Sequence, residues 1–194
     1  MVHAIEAFTS INSNNNPVSK MLSIEALKLL GSSIKTAVFD GHNINARSNM
    51  LLGSMLAGKA FANSPVAAVH ALAYPIGGLF NISHGLSNSL VLTSVMKFNS
   101  KNEETKKNYA HLAPYVFKNL DNSKNDEFLC NNFIDGLERL CKELNLPYRL
   151  RDLEIPEEAC KLMASEAMKQ TRLLVNNPRK IEESDAYNIY KSVW

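Results

Sequence analysis

The stretch from Val66 to Asn99 constrains this chain most, because it carries two histidines, His70 and His84, on either side of Pro75, Gly77, Gly78, Asn81 and Ser83. On one unbroken helix a rise of about 1.5 Å per residue would hold the two imidazoles roughly 21 Å apart, beyond the reach of a common ion. The intervening helix breakers and turn residues let the chain reverse, after which the histidines can converge. Ser83 suits the cap of a helix that begins at His84, and Gly85 leaves the backbone open to close approach. By periodicity alone, a histidine in an apolar stretch is more often a satisfied core or helix-end residue than a ligand. The spacing leaves both roles open.

A chain of 194 residues fits one domain that buries roughly 70% of the surface its unfolded form exposes, so a real core is expected. With 45% hydrophobic and 21% charged residues the composition is that of a soluble globular protein. A formal charge of +2 creates no field that would recruit nucleic acid or anionic lipid. There is no run of about 20 apolar residues and no signal-peptide architecture, which disfavours membrane insertion and export and leads to the expectation of a cytoplasmic protein. The three cysteines, Cys130, Cys141 and Cys160, are odd in number and form no CxxC pair, against both a disulfide framework and a zinc ribbon. Cys130 and Cys141 stand about three helical turns apart, consistent with burial on one apolar face.

Helical periodicity runs through the chain. A helix is expected from Pro17, with Val18, Leu22, Ala26 and Leu29 as its apolar stripe, ending near Asp40 and Gly41, with His42 a turn residue. A second runs from Ile44 to about Ala62, and its Gly53, Ala57, Gly58 and Ala60 allow close helix contact. Ser64 and Pro65 read as the cap and first-turn proline of the helix bearing His70. Ser100 to Lys107 reads as a polar connection, followed by helices over Tyr109–Asn119, with His111 on the solvent side, and Glu127–Leu144, buried through Phe128, Phe133, Leu137, Leu140 and Leu144. After a loop from Pro147 to Pro156, Glu157 and Glu158 suit the first turn of a helix reaching Val175. A turn at Asn176–Arg179 precedes a last helix, Ser184–Trp194. No strand pattern and no internal repeat appear, so the expected fold is an all-α, multi-helix bundle of eight or nine helices.

The organising stretch resembles the metal-binding signature of the iron-containing (group III) alcohol dehydrogenases, V-H-x-x-x-[HY]-P-x-G followed by [PS]-H-G-x-x-N. It matches at Val69-His70, Tyr74-Pro75, Gly77, Ser83-His84-Gly85 and Asn88. His3-Ala4-Ile5-Glu6-Ala7-Phe8 is similar to the second half of the family's D-A-[LM]-x-H-A-I-E-A-[YF] helix, in which the Asp and the His share a face and hold one ion. The aspartate would fall before residue 1, so this chain lacks it, and His3 stands on a turn prone to fraying. The Asn176-Asn177-Pro178-Arg179 turn and the following Asp185...Ile189-Tyr190 extend the resemblance across essentially the whole chain. It implies the helical C-terminal domain of such an enzyme, of the kind also seen as the α domain of dehydroquinate synthase. The N-terminal nucleotide-binding α/β domain is expected to be absent, since no GxGxxG and no βαβ pattern occur.

The resemblance further implies that His3, His70 and His84 bind a divalent metal, Fe²⁺ before Zn²⁺, and that the complete enzyme uses NAD or NADP to interconvert an alcohol and its aldehyde or ketone. Neutral imidazoles suit either ion. Tyr74, four residues after His70 on the same face, is the candidate catalytic residue, able to relay a proton; many relatives carry histidine there, and a packing tyrosine is the alternative. Two further readings stay open: a non-catalytic helical interaction or assembly domain with a vestigial histidine site, and a three-histidine zinc hydrolase, which needs an acid/base partner not evident here. Expected partners are a small alcohol or aldehyde, with neither nucleic acid nor membrane, and self-association into a homo-oligomer stays open. The isolated chain is expected to turn over little or nothing.

Overall fold

The computed structural model describes residues 1–194 and contains ten α-helices, one short 3-10 turn and no strand, matching the all-α expectation. Helix α2 (Pro17–Phe39) and helix α3 (Ile44–Asn63) form a long hairpin. Asn16 starts α2 by accepting the Val18 and Ser19 N–H groups, while Ser19 Oγ accepts from Asn16 N, a reciprocal capping box. Asn43 caps α3 by accepting from Ala46 N at 3.0 Å. The face that α2 buries is Ser19, Ser23, Ala26, Leu27 and Leu30, whereas Val18 is 58% exposed. The expected stripe through Val18, Leu22 and Leu29 is therefore displaced by about one residue. Small residues win over larger apolar ones because the helices approach closely: a Cβ on Gly53 would stand 2.8 Å from Leu30 Cγ.

Helix α1 (Val2–Thr9) is sunk against α2, α3 and helix α6 (Glu103–Val116), with Ala4, Ile5 and Ala7 fully buried. His3 thus rides on a core element and not on a fraying surface turn. Helix α6 starts six residues before the expected Tyr109, because Asn102 accepts the Thr105 N–H and Glu103 and Glu104 occupy the positive first turn. It packs on helix α7 (Asp126–Glu143), whose buried stripe contains Phe133, Leu137 and Leu140 but not Phe128, which lies in the exposed first turn.

Helix α4 (Ala68–Phe80) and helix α5 (His84–Asn99) are joined by residues 81–83. The expected helix from Glu157 to Val175 is divided into α8 (Ala159–Met168) and α9 (Thr171–Leu174), and α10 (Glu183–Ser192) packs on α8. The Tyr190 hydroxyl of α10 donates to Leu72 O of α4 at 2.6 Å. The Asn-Asn-Pro-Arg turn is a strap. Asn176 Nδ2 donates to Val66 O, Asn177 and Asn99 exchange amide bonds of 2.8 and 3.0 Å, and Arg179 Nη1 donates to Phe98 O while its guanidinium lies 3.8 Å from the Phe98 ring centre. It fixes the approach to α4 and the end of α5, the two helices that carry His70 and His84. All three cysteines are free thiols, Cys130 and Cys160 buried and Cys141 partly so. No helix is long and apolar enough to cross a membrane.

Candidate metal centre

Helix α1 and the consecutive pair α4 and α5, more than 55 residues further along the chain, bring His3, His70 and His84 together. One side-chain nitrogen from each lies within 4.8 Å of the other two, and the ring centres stand 4.7 Å (His3 to His70), 5.3 Å (His70 to His84) and 6.2 Å (His3 to His84) apart.

The reversal that joins His70 to His84 is built differently from the expectation. Pro75, Gly77 and Gly78 lie inside α4 and do not end it; the turn is made by Asn81, which closes α4 in the left-handed conformation at φ 54°. The link then runs back along the helix it has just left. Gly77 permits this, since a Cβ there would come within 3.2 Å of Ile82 O. Doubling back at once is what returns His84 from the far end of α4 to the neighbourhood of His70. Ser83 occupies the cap position of α5 but its side chain makes no capping bond; Ser87 Oγ donates instead to the Ser83 carbonyl. Ser64 and Pro65 likewise do not start α4. Ser64 closes α3 and donates to Ala7 O at 2.6 Å, and α4 begins after Ala67, which has no side-chain cap to offer.

The centre is graded from inside to outside: His70 is 3% exposed, His3 half-buried and stacked on Phe61, and His84 open to solvent. Burial, followed by the charges of His70, the amino terminus and His84, pulls the His3 pKa down to about 4, so its imidazole stays neutral near pH 7. Burial and His70 also lower that of His84. Asn88 Nδ2 donates to the His84 carbonyl at 2.9 Å, while its buried Oδ1 has no partner. The Tyr74 ring centre lies 6.5 Å from that of His84. Three imidazoles with one side open are a donor set suited to a divalent transition ion, which neutral imidazole nitrogens approach to about 2.0–2.1 Å. The separations ask for a further drawing-in of the rings, which the exposed His84 can supply. No carboxylate belongs to the cluster.

Sequence reasoning passes over Glu6. It is 4% exposed, accepts the Val69 N–H at 2.7 Å through Oε1, and approaches His70 Nδ1 to 2.5 Å through Oε2. A lone acid inside the apolar run Ala4-Ile5-Glu6-Ala7-Phe8 is the available signal, because a buried carboxylate needs partners.

Comparison with known proteins extends over the full chain. A family model described as the Fe-containing alcohol dehydrogenase family, C-terminal, matches residues 1–194. The chain is 36% identical over 199 residues to long-chain-alcohol dehydrogenase 1 of Geobacillus thermodenitrificans, covering 100% of itself and 48% of that protein. It is 32% identical over 194 residues to the 1,3-propanediol dehydrogenase of Citrobacter freundii, covering 100% of itself and 49% of the relative. Among solved structures, a 1,3-propanediol oxidoreductase superposes with a TM-score of 0.92 at 30% identity, over 100% of this chain and 49% of that one. An alcohol dehydrogenase from Oenococcus oeni gives 0.91 at 30% identity over the same share. The chain therefore spans about half the length of the curated relatives it matches.

Proposed function

Because the chain belongs to the iron-containing alcohol dehydrogenase family, as its C-terminal domain, we propose that it supplies the metal-binding half of an enzyme that interconverts an alcohol and its aldehyde or ketone with NAD or NADP. The observation that carries this reading is the convergence of three imidazole nitrogens within 4.8 Å from α1, α4 and α5. His3, His70 and His84 are assigned as holders of a divalent ion, Fe²⁺ in keeping with the family and Zn²⁺ as the second choice. Once bound, such an ion supplies Lewis acidity toward the oxygen of the alcohol or carbonyl, and hydride exchange belongs to the nicotinamide.

The chain's own residues contribute in three ways. Buried His70 anchors the centre, and half-buried His3 stays unprotonated there. His84 faces the open side, from which a substrate oxygen would enter. Tyr74, beside His84 on that side, is assigned the movement of a proton to or from the substrate oxygen. The named relatives act on long-chain alcohols and on 1,3-propanediol, which supports the alcohol class. These 194 residues contain no strand and hence no βαβ unit to hold a dinucleotide. Turnover by this chain alone is therefore expected to be negligible with either NAD(H) or NADP(H). A nicotinamide-dependent reaction needs an intracellular cofactor pool, which favours a cytoplasmic setting.

Metal content of the purified chain tests the assignment. His70→Ala and His84→Ala should each lower bound Zn²⁺ or Fe²⁺ well below one equivalent. Unchanged content in both variants would favour the second reading, a non-catalytic helical module.

A further inference from the structure

Glu6 is the carboxylate that this fold buries almost completely, and it does so beside the histidine cluster. Removing a carboxylate from water is costly unless its oxygens are satisfied. Both are. Oε1 accepts the N–H of Val69, the second residue of α4, whose own N-terminal flank offers Ala67 and no capping side chain. Oε2 faces Nδ1 of His70, at 2.5 Å, one residue further along the same helix. Glu6 also stands one turn after His3 on α1, so a single short helix carries a cluster histidine and the group that grips its neighbour.

We infer that Glu6 is the positioning residue of the centre: its carboxylate selects the neutral His70 tautomer with the proton on Nδ1, in which Nε2 is bare and aimed at the position shared with His3 and His84. This rests on the metal-binding reading above. The physical reason is the donor count. A carboxylate is an acceptor at both oxygens, and the Val69 N–H is an unalterable donor, so the second oxygen is free to accept only from a protonated Nδ1. A histidine that ligates through one nitrogen commonly donates from the other to a carboxylate, which sets the tautomer and the ring orientation. The same anion sits at the positive end of α4, and it places one negative charge next to the histidine cluster.

The isosteric change Glu6→Gln separates this role from that of a simple helix cap. The new amide's carbonyl oxygen goes to the Val69 N–H, since that donor cannot invert, which turns the amide NH₂ toward Nδ1. His70 then becomes an acceptor there and carries its proton on Nε2. The cap survives and the ligand atom is lost. Long-range proton–nitrogen NMR on the ¹⁵N-labelled, metal-free chain at pH 8 reads the tautomer directly, and chelator competition with Zn²⁺ reads the affinity. In the unaltered chain His70 is expected to be protonated on Nδ1 only; in the E6Q chain the proton moves to Nε2 and Zn²⁺ affinity falls about 10–100-fold.

A neutral His70 that carries its proton on Nε2 in the unaltered chain overturns the inference even if E6Q does not fold. So does a folded E6Q chain that keeps the original tautomer and its affinity within twofold. An unaltered chain with the Nδ1 proton but no Zn²⁺ binding sinks the metal-centre reading and leaves the orienting contact standing, so the two failures are distinguishable.

Discussion

Cys130 is a small apolar residue to the fold and a thiol only to the base that attacks it. Burial on the inner face of α7 pushes its pKa up to about 11, and burial likewise raises the phenols of Tyr109 and Tyr190. In the unfolded chain these groups release protons near their ordinary values, about 9 for the thiol and about 10 for the phenols, while the folded chain retains them. Above pH 9 the unfolded state thus binds fewer protons than the native one, and stability falls as pH rises. Urea midpoints are expected to drop steadily from pH 9 upward, with a shallower decline in Cys130→Ala. Iodoacetamide at pH 8 should label part-buried Cys141 first, and Cys130 and Cys160 only on unfolding. At the same scale, Asn177→Leu leaves Asn99 without its buried amide partner and should cost about 1–3 kcal/mol in urea unfolding. Composition makes the free thiols legible. The partnership of Asn99 with Asn177 is not, because amide pairs join positions that no local periodicity links.

Helix ends written in the local sequence are legible where a side chain near the end makes them. Asn16-Pro17 and Asp40-Gly41 bracket α2 as expected. Ends decided by partners are not, as at α4, which begins without a cap of its own because a carboxylate from α1 serves instead. The buried face of α2 departs from its apolar stripe for the same reason: close packing on α3 and α6 selects small residues that hydropathy ranks low. Two alanine substitutions expose that difference between positions with the same residue. Gly58 sits within α3, and a methyl group placed on its Cα would have nothing within 4 Å, so Gly58→Ala should stabilise by about 0.5–1 kcal/mol through the unfolded chain. Gly31 is in the same kind of helix interior, but a Cβ there would meet Val116 Cα at 2.9 Å, a backbone atom of α6 that cannot rotate away. Gly31→Ala should destabilise by about 1–2 kcal/mol once its helix-propensity gain is set against the overpacking. Equal and favourable shifts in the thermal midpoints of both variants would contradict the α2–α6 contact.

Across the whole molecule, the histidine cluster is a cross-link in prospect between α1 and the consecutive α4–α5 pair, which the chain connects only through the long detour of α2 and α3. Residues 3, 70 and 84 belong to α1, α4 and α5, and α1 in turn braces α2, α3 and α6. The match of motifs makes the three histidines legible in the sequence, but not the depth at which α1 lies, because burial of an eight-residue helix is decided by what packs round it. That depth sets how much an ion would stabilise the fold. An ion bound only by the native state adds RT ln(1 + [L]/Kd), about 2.7 kcal/mol when the free ion is at 100 times Kd, which for a domain of this size is about 5–10 °C in Tm. Calorimetry with and without Zn²⁺ should show that rise in the unaltered chain and none in His84→Ala, the substitution least costly to the empty fold because His84 is the exposed member. His70→Ala, at the buried end, should abolish the rise and also lower the metal-free midpoint, since it leaves Glu6 with one unpaired oxygen in the interior. A Zn²⁺-dependent rise of equal size in both variants would mean that the ion stabilises the fold from somewhere other than the junction of α1, α4 and α5.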